Sequence, residues 1–340
     1  MIKASYSKRT LIFKQPAGTS RGVLSEKDSF FLSLFHEENP LIKGVGEISP
    51  IPGLSIDEPS RLENKIIEVI DSINAGNYNF NMPVAGFPAI QFGIETALIG
   101  LGANGSQILF PSDFTSGKVS IPINGLIWMG SREFMEQQIE AKIKAGFRCL
   151  KLKIGAIDFE TELSVLKSIR GKYPSELLEL RVDANGAFNP ADANDKLSRL
   201  AELRLHSIEQ PIKAGQYEEM SRLCATSPLP VALDEELAGV SSYEKKQQLL
   251  ETIKPQYIIL KPTLLGGFKA SSEWIELAGK EGVGWWVTSA LESNIGLNAI
   301  AQWTATLGNP SFQGLGTGAL YKNNIESPLT LRGGQLYYSV

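Results

Sequence analysis

The sequence predicts an α/β protein: a parallel (β/α) barrel preceded by a smaller α+β unit that caps it. Three observations carry this expectation. From about residue 119 to 315, short apolar runs alternate with amphipathic helical patterns. Those runs are apolar on both faces, as strands buried in a parallel sheet require. Five of them in succession end on a charged residue, and the C-terminal strand ends of a barrel share one face.

Residues 1 to about 115 differ in style from the rest of the chain. Segments 10–14 and 30–36 read as antiparallel strands separated by a polar, glycine-containing loop, 15–28. A third strand is expected at 44–48, then helices at 60–75 and 88–101. This unit has too few strands to join the barrel. Barrel strands are expected at 120–127, 148–154, 178–183, 205–209, 230–234, 257–261, 284–289 and 311–315, the last with the weakest signal. Helices lie between them, such as 131–145, opened by Ser131 as N-cap and closed by Gly146. The tail at 329–338 is strand-like and is expected to return to the first unit. The chain therefore divides into a capping domain, 1–115 with the tail 316–340, and a TIM-type (β/α) barrel, 116–315.

Composition narrows the function classes. At 340 residues, 43% hydrophobic and 21% charged, the chain is an ordinary globular protein large enough for a barrel with an addition. A net charge of −4 and a pI near 5.5 leave no footprint for nucleic acid or an anionic membrane. Cys149 and Cys224, the only cysteines, offer neither a disulfide framework nor metal-ligand spacing. The N-terminal residues lack the apolar region of a secretion signal, and no run approaches ~18 apolar residues, so a cytoplasmic location is expected. Only His36 and His206 are present, too few for a multi-histidine zinc site. Base chemistry then falls to lysine or carboxylate, and a metal site would be oxygen-rich, suiting Mg2+ or Mn2+.

The run CLKLKIG is the most telling stretch. Lys151 and Lys153 lie two apart on a predicted strand, hence on one face, while Leu150, Leu152 and Ile154 face the other way. Like charges so close lower each other's pKa, which makes a lysine usable as a base. Later runs end in Asp183, Glu209, Asp234 and Lys261. Neighbouring strands lie about 4.8 Å apart, so the three carboxylates can converge on one divalent cation with the lysines flanking it. That arrangement suits removal of a proton α to a carboxylate. Taken singly, each piece has a plain structural reading: alternating lysines on a wet strand, an Asn-Gly turn after Asp183, ordinary loop starts at Glu209 and Asp234. Their joint occurrence on successive strands favours the functional one.

With these elements in place, the chain resembles the enolase superfamily, in the muconate-lactonising-enzyme-like subgroup marked by K-x-K on the second barrel strand and a lysine on the sixth. The segments GEISPIPGLS (46–55) and PAIQFGIETAL (88–98) resemble the subgroup's dehydratases of menaquinone synthesis. The resemblance implies a lyase that dehydrates 2-succinyl-6-hydroxy-2,4-cyclohexadiene-1-carboxylate to 2-succinylbenzoate. It implies Lys153 as the base that removes the α-proton and then, as acid, helps hydroxide leave. Lys151 would hold the substrate carboxylate, and Lys261 would stabilise the enediolate by a cation–π contact. Asp183, Glu209 and Asp234 would bind Mg2+, or Mn2+. Glu235 follows Asp234 directly and is expected to point away from the metal and support the site from behind the ligands, for which pairing with a lysine is one way. Asn185 is a further substrate-site candidate.

Ser289 and Ser293 end the seventh predicted strand and open a helix, whose free N–H groups are expected to receive the substrate's succinyl carboxylate. The loop 15–28 and the turn 50–54 are expected to lie over the substrate, with Arg21 a candidate to face a carboxylate. The alternatives are N-succinylamino-acid racemase and dipeptide epimerase of the same subgroup. Against the latter, QGLGTGALYKNN holds no acidic pair for a substrate ammonium. The expected partner is a small-molecule carboxylate, with no nucleic acid and no membrane.

Overall fold

The structure, a computed structural model, describes residues 1–19 and 22–339. Strand β1 (Ile2–Thr19) pairs antiparallel with β2 (Gly22–His36), and β2 with β3 (Asn39–Ile48). On β2 the buried side chains Phe30, Leu32 and Leu34 alternate, and they meet Leu62, Ile66, Val69 and Ile73 of helix α1 (Pro59–Asn74). Periods of two on the sheet and of three to four on the helix thus form one small core. Helix α2 (Pro88–Gly102) lies directly on β3, and glycine makes that approach possible. A Cβ at Gly44 or Gly46 would fall 1.9 Å or 1.8 Å from a carbonyl oxygen of α2.

Of the expected loop 15–28, residues 15–19 and 22–28 instead belong to β1 and β2, with Ala17 opposite Leu24 and Thr19 opposite Gly22. Ladder hydrogen bonds need no apolar pattern, so polar residues form strand here without announcing it. A register shift between Ile12 and Ala17 accommodates Pro16, which has no donor for the ladder. Arg21 lies outside the described residues.

Among the described residues the barrel sheet holds seven parallel strands, each beside its neighbour in sequence. They are β5 (Gly125–Ile127), β6 (Cys149–Lys153), β7 (Glu179–Asp183), β8 (Ser207–Glu209), β9 (Val231–Leu233), β10 (Tyr257–Leu260) and β11 (Gly284–Val287). The intervening helices are α3 (Arg132–Lys144), α4 (Phe159–Lys172), α5 (Pro190–Ala201), α6 (Tyr217–Thr226), α7 (Tyr243–Ile253), the short α8 (Pro262–Leu265), α9 (Phe268–Glu281) and α10 (Asn294–Thr306). Ser131 caps α3 by accepting from Phe134 N–H. The expected eighth strand, 311–315, is reduced to two bridges: Gln313 to Ile123 on one edge, Gly314 to Thr288 on the other. Here a side chain takes over part of the ladder, for Gln313 Oε1 accepts from Val287 N–H at 2.7 Å.

The expected strand 120–127 is broken in two. Strand β4 (Ile121–Pro122) leaves the barrel and pairs with β13 (Gln335–Tyr338), which forms a hairpin with β12 (Leu329–Arg332). The tail accordingly divides. Residues 320–322 lie along β1, with Lys322 N–H on the Ile12 carbonyl and the Tyr321 ring 4.7 Å from Phe13. The 329–338 hairpin closes the barrel's entry strand instead, because its apolar side chains Leu336 and Tyr338 join the barrel core. Among the described residues, no helix is long and apolar enough to cross a membrane.

Candidate active site

Parallel pairing in register brings the charged residues together. Lys153 lies opposite Asp183, and Asp183 opposite Glu209. Lys151, Lys153, Asp183, Glu209, Asp234 and Lys261 are all buried, none more than 8% exposed. Lys153 Nζ donates to Asp183 Oδ2 at 2.6 Å and Asn185 Oδ1 at 2.8 Å. Lys151 Nζ donates to the same Asp183 oxygen at 3.0 Å and to Glu209 Oε2 at 2.8 Å. Lys261 pairs with Asp234 and lies 3.7 Å from Glu209 Oε1. Cations and anions alternate around the ring, which is what makes burying six ionisable groups tolerable.

The two K-x-K lysines titrate in opposite directions. Burial pulls Lys153 below the usual lysine value, with Lys151 and Lys261 adding to the effect against Asp183. Burial works on Lys151 too, but Glu209 and Asp183 together outweigh it and raise the pKa. Lys261 is likewise raised, by Asp234 and Glu209 against burial. The expectation that each lysine lowers the other holds for Lys153 alone, where burial is the larger cause. Asp183 is held well below the usual range, since three lysines overcome its burial. Glu209 is pushed up to about 7 by burial, then by Asp183 and Asp234.

Among the described residues no three acidic, histidine or cysteine side chains already enclose an ion, because ammonium groups stand between the carboxylates. The donor set nevertheless fits a hard divalent cation. Asp183, Glu209 and Asp234 offer only oxygen from three adjacent strands, and Glu209 Oε1 is buried with no hydrogen-bond partner. Mutual repulsion of the three carboxylates is the strain that a cation relieves.

Asn185 sits in the left-handed region, φ 46°, which turns its side chain back toward Lys153. Its Nδ2 donates to Glu235 Oε1 at 2.9 Å. Glu235 therefore joins the site through Asn185, rather than facing away from it. The physical reason is that β9 ends at Leu233 and Asp234 turns into a short 3-10 helix (Glu235–Leu237), so strand alternation no longer applies. Gln210, in the E-Q-P motif, has a role that only its contacts reveal. Its Oε1 accepts from Asp234 N–H at 3.1 Å and its Nε2 donates to Glu236 at 2.9 Å, holding one proposed ligand's backbone beside another's strand.

Above the ring is a cavity of about 990 Å3, its open mouth included. The barrel supplies Lys151, Lys153 and Lys261, and the cap supplies Leu24, Ile51, Pro52 and Leu54. The start of β2 (residues 22–24) and the turn 50–54 thus line the cavity from the cap side. No carboxylate lines the cavity among the described residues.

The two serines behave differently from expectation. Ser293 does not reach the cavity: its N–H and Oγ both donate to Glu47 of β3, at 2.7 Å and 2.6 Å, and Gly296 N–H donates there too at 2.9 Å. The helix N-terminus expected to receive a substrate anion is filled by a carboxylate from the cap. Ser289 lines the cavity, but its hydroxyl donates to Glu292 at 2.5 Å and accepts from Thr317 Oγ1 at 2.8 Å and Leu291 N–H at 3.1 Å. Glu47 and Glu292 carried no local signal, since each works across a long sequence separation or inside a loop.

Comparison with known proteins points the same way. A family model described as enolase C-terminal domain-like matches residues 134–339. The chain is 49% identical to o-succinylbenzoate synthase of Desulfotalea psychrophila over 98% of both chains. It is 27% identical to o-succinylbenzoate synthase of Thermosynechococcus vestitus, covering 74% of this chain and 73% of that one. The crystal structure of MenC from Desulfotalea psychrophila superimposes with a TM-score of 0.87 at 44% identity, covering 99% of each chain. A substrate-liganded L-Ala-D/L-Glu epimerase from Bacillus subtilis gives a TM-score of 0.85 at 20% identity, over 99% of this chain and 96% of that one, which is a likeness of fold. The chain belongs to the enolase superfamily, and within it to the o-succinylbenzoate synthase family.

Proposed function

We propose that this protein is an o-succinylbenzoate synthase, a lyase that removes water from 2-succinyl-6-hydroxy-2,4-cyclohexadiene-1-carboxylate to form 2-succinylbenzoate for menaquinone synthesis. The observation that carries the reading is the buried ring of three lysines and three carboxylates beneath a cavity with an apolar cap and no acidic lining. Asp183, Glu209 and Asp234 would hold Mg2+. When bound, the ion would supply Lewis-acid stabilisation of charge on the substrate carboxylate as the α-proton leaves.

The remaining work belongs to the chain's own side chains. Lys153, whose burial favours the neutral amine, takes the proton from the carbon bearing the carboxylate. The electron pair forms the new ring double bond as the bond to the hydroxyl breaks, and Lys153 returns its proton so that water departs. Lys151 stays cationic and holds the substrate carboxylate. Lys261 also stays cationic, because Asp234 and Glu209 favour its charged form, and opposes the developing negative charge from the other side. Dehydration needs one titrating lysine, whereas racemisation needs two bases on opposite faces. Lys153 and Lys261 could serve either reaction, so the apolar cap and the absence of acidic lining among the described residues favour the carbocycle. A dipeptide ammonium would find no carboxylate lining the cavity among the described residues.

The test is an assay of purified protein with Mg2+ on the cyclohexadiene carboxylate and on an L-Ala-Glu-type dipeptide. Formation of 2-succinylbenzoate, with the dipeptide untouched, is expected. Lys153→Ala should lower kcat by roughly a thousandfold, and solvent deuterium should no longer enter a bound substrate. Dipeptide epimerisation without 2-succinylbenzoate would overturn the reading, and exchange surviving in Lys153→Ala would show another base.

A further inference from the structure

We infer that Asn124 and Thr288 form the subsite that reads the four-carbon succinyl arm of the substrate, an inference that rests on the function proposed above. The cavity has two chemically distinct sides. The ends of β6 and β10 supply its lysines, where the reacting carboxylate belongs. The wall that runs between those two strands is built from β5, the end of β11 and the 313–317 segment, and its polar groups are uncharged: Asn124, Thr288, Ser289 and Thr317.

Two of these are already committed. A hydroxyl has one proton to donate and two lone pairs to accept with. Ser289 Oγ uses all three, on Glu292, Thr317 and Leu291, and Thr317 spends its proton on Ser289. Asn124 Oδ1 and Thr288 Oγ1, in contrast, are buried and have no hydrogen-bond partner. Buried polar groups are nearly always satisfied, so two orphans in one cavity point to a ligand with polar atoms there.

The backbone explains why these two face the same space. Asn124, Leu126 and Trp128 alternate through β5 and the residue on either side of it, and all line the cavity, with Asn124 the buried member of the three. Asn124 N–H is held by the Gln313 carbonyl at 3.0 Å, and Thr288 forms a parallel bridge with Gly314. The two residues therefore flank one short segment from either side. Glycine at 314 leaves room for the hydroxyl, since a Cβ there would lie 2.5 Å from Thr288 Oγ1. The arm presents a ketone and a carboxylate, which only accept hydrogen bonds. Thr288 can donate its proton, and the Asn124 amide donates from its NH2 after a half-turn of the amide.

The test is a calorimetric titration of Mg2+-supplied protein with 2-succinylbenzoate and with benzoate, which lacks the arm. Thr288→Val is isosteric and Asn124→Asp places a negative charge beside the arm. Each should weaken 2-succinylbenzoate about tenfold or more and leave benzoate within about twofold, with Thr288→Ser restoring the wild-type affinity. Unchanged 2-succinylbenzoate affinity in both variants, or an equal loss for benzoate, would overturn the inference. Failure of the folded wild-type protein to bind 2-succinylbenzoate would instead overturn the functional proposal and the inference with it.

Discussion

Lys151 and Lys153 share a strand face, yet each takes its character from the carboxylates it owns. Lys151 sits between two and stays charged, while Lys153 shares one and is free to lose its proton. A second buried group, Asp57, shows how location alone moves a pKa. It lies just after the turn that covers the site, accepts from Ala89 N–H at 3.0 Å, and leaves Oδ2 unpartnered. Burial raises its pKa to about 7, against the hydrogen bonds from Ala89 and its own backbone. An unfolded aspartate releases its proton near pH ~4, so the folded state binds more protons between there and about 7. The resulting stability is fully present below the lower value and is lost as pH rises through the upper one. Asp57→Asn should therefore stabilise the protein above pH ~7.5, by on the order of 2–4 kcal/mol, and have little benefit near pH ~4. Thermal melts across that range check it. A gain that does not grow with pH would show that Asp57 is ionised in the folded protein.

At the scale of elements, helix α10 depends on a strand of the other domain. Glu47 fills its N-terminus, satisfying the Ser293 and Gly296 donors that no residue of the helix itself can reach. This contact joins β3 of the cap to the helix that comes after β11 and the Ser289 loop. The carboxylate and the serine should therefore act as a unit. In equilibrium denaturation, Glu47→Gln and Ser293→Ala should each cost about 1–3 kcal/mol. Their double variant should depart from the sum by at least about 1 kcal/mol. Additivity within about 0.3 kcal/mol would mean that the two residues stabilise the fold independently.

For the whole molecule, the ring of charges couples metal binding to stability. Three carboxylates of like charge, one with an oxygen that accepts no hydrogen bond, are less favourable together without a divalent cation than with one. Mg2+ should raise Tm and a chelator should lower it, a hundredfold excess over Kd being worth about 2.7 kcal/mol. Glu209→Gln should remove most of this Mg2+-dependent shift while the protein still melts cooperatively. A full shift in Glu209→Gln would exclude Glu209 from the ligand set. The cap takes part in the site as a whole, since residues 22–24 and the turn 50–54 form the cavity's apolar roof.

What the sequence determined by itself was what local periodicity carries. Alternation on a strand put Lys151 and Lys153 on one face, and repeated strand ends put Asp183, Glu209, Asp234 and Lys261 on one rim. Capping chemistry at Ser131 started a helix where expected. The tertiary structure alone decided what depends on residues far apart in the chain. Glu47 reaches a helix 246 positions away, Gln313 replaces strand ladder with a side chain, and β4 leaves the barrel for a hairpin more than 200 residues later. It also decided which polar groups remain available, because Ser289 and Ser293 read alike in sequence until their partners are known. The physical reason is the range of the forces. Side-chain direction follows from backbone geometry within a few residues, but the satisfaction of a buried polar group depends on whichever distant group the fold brings to it.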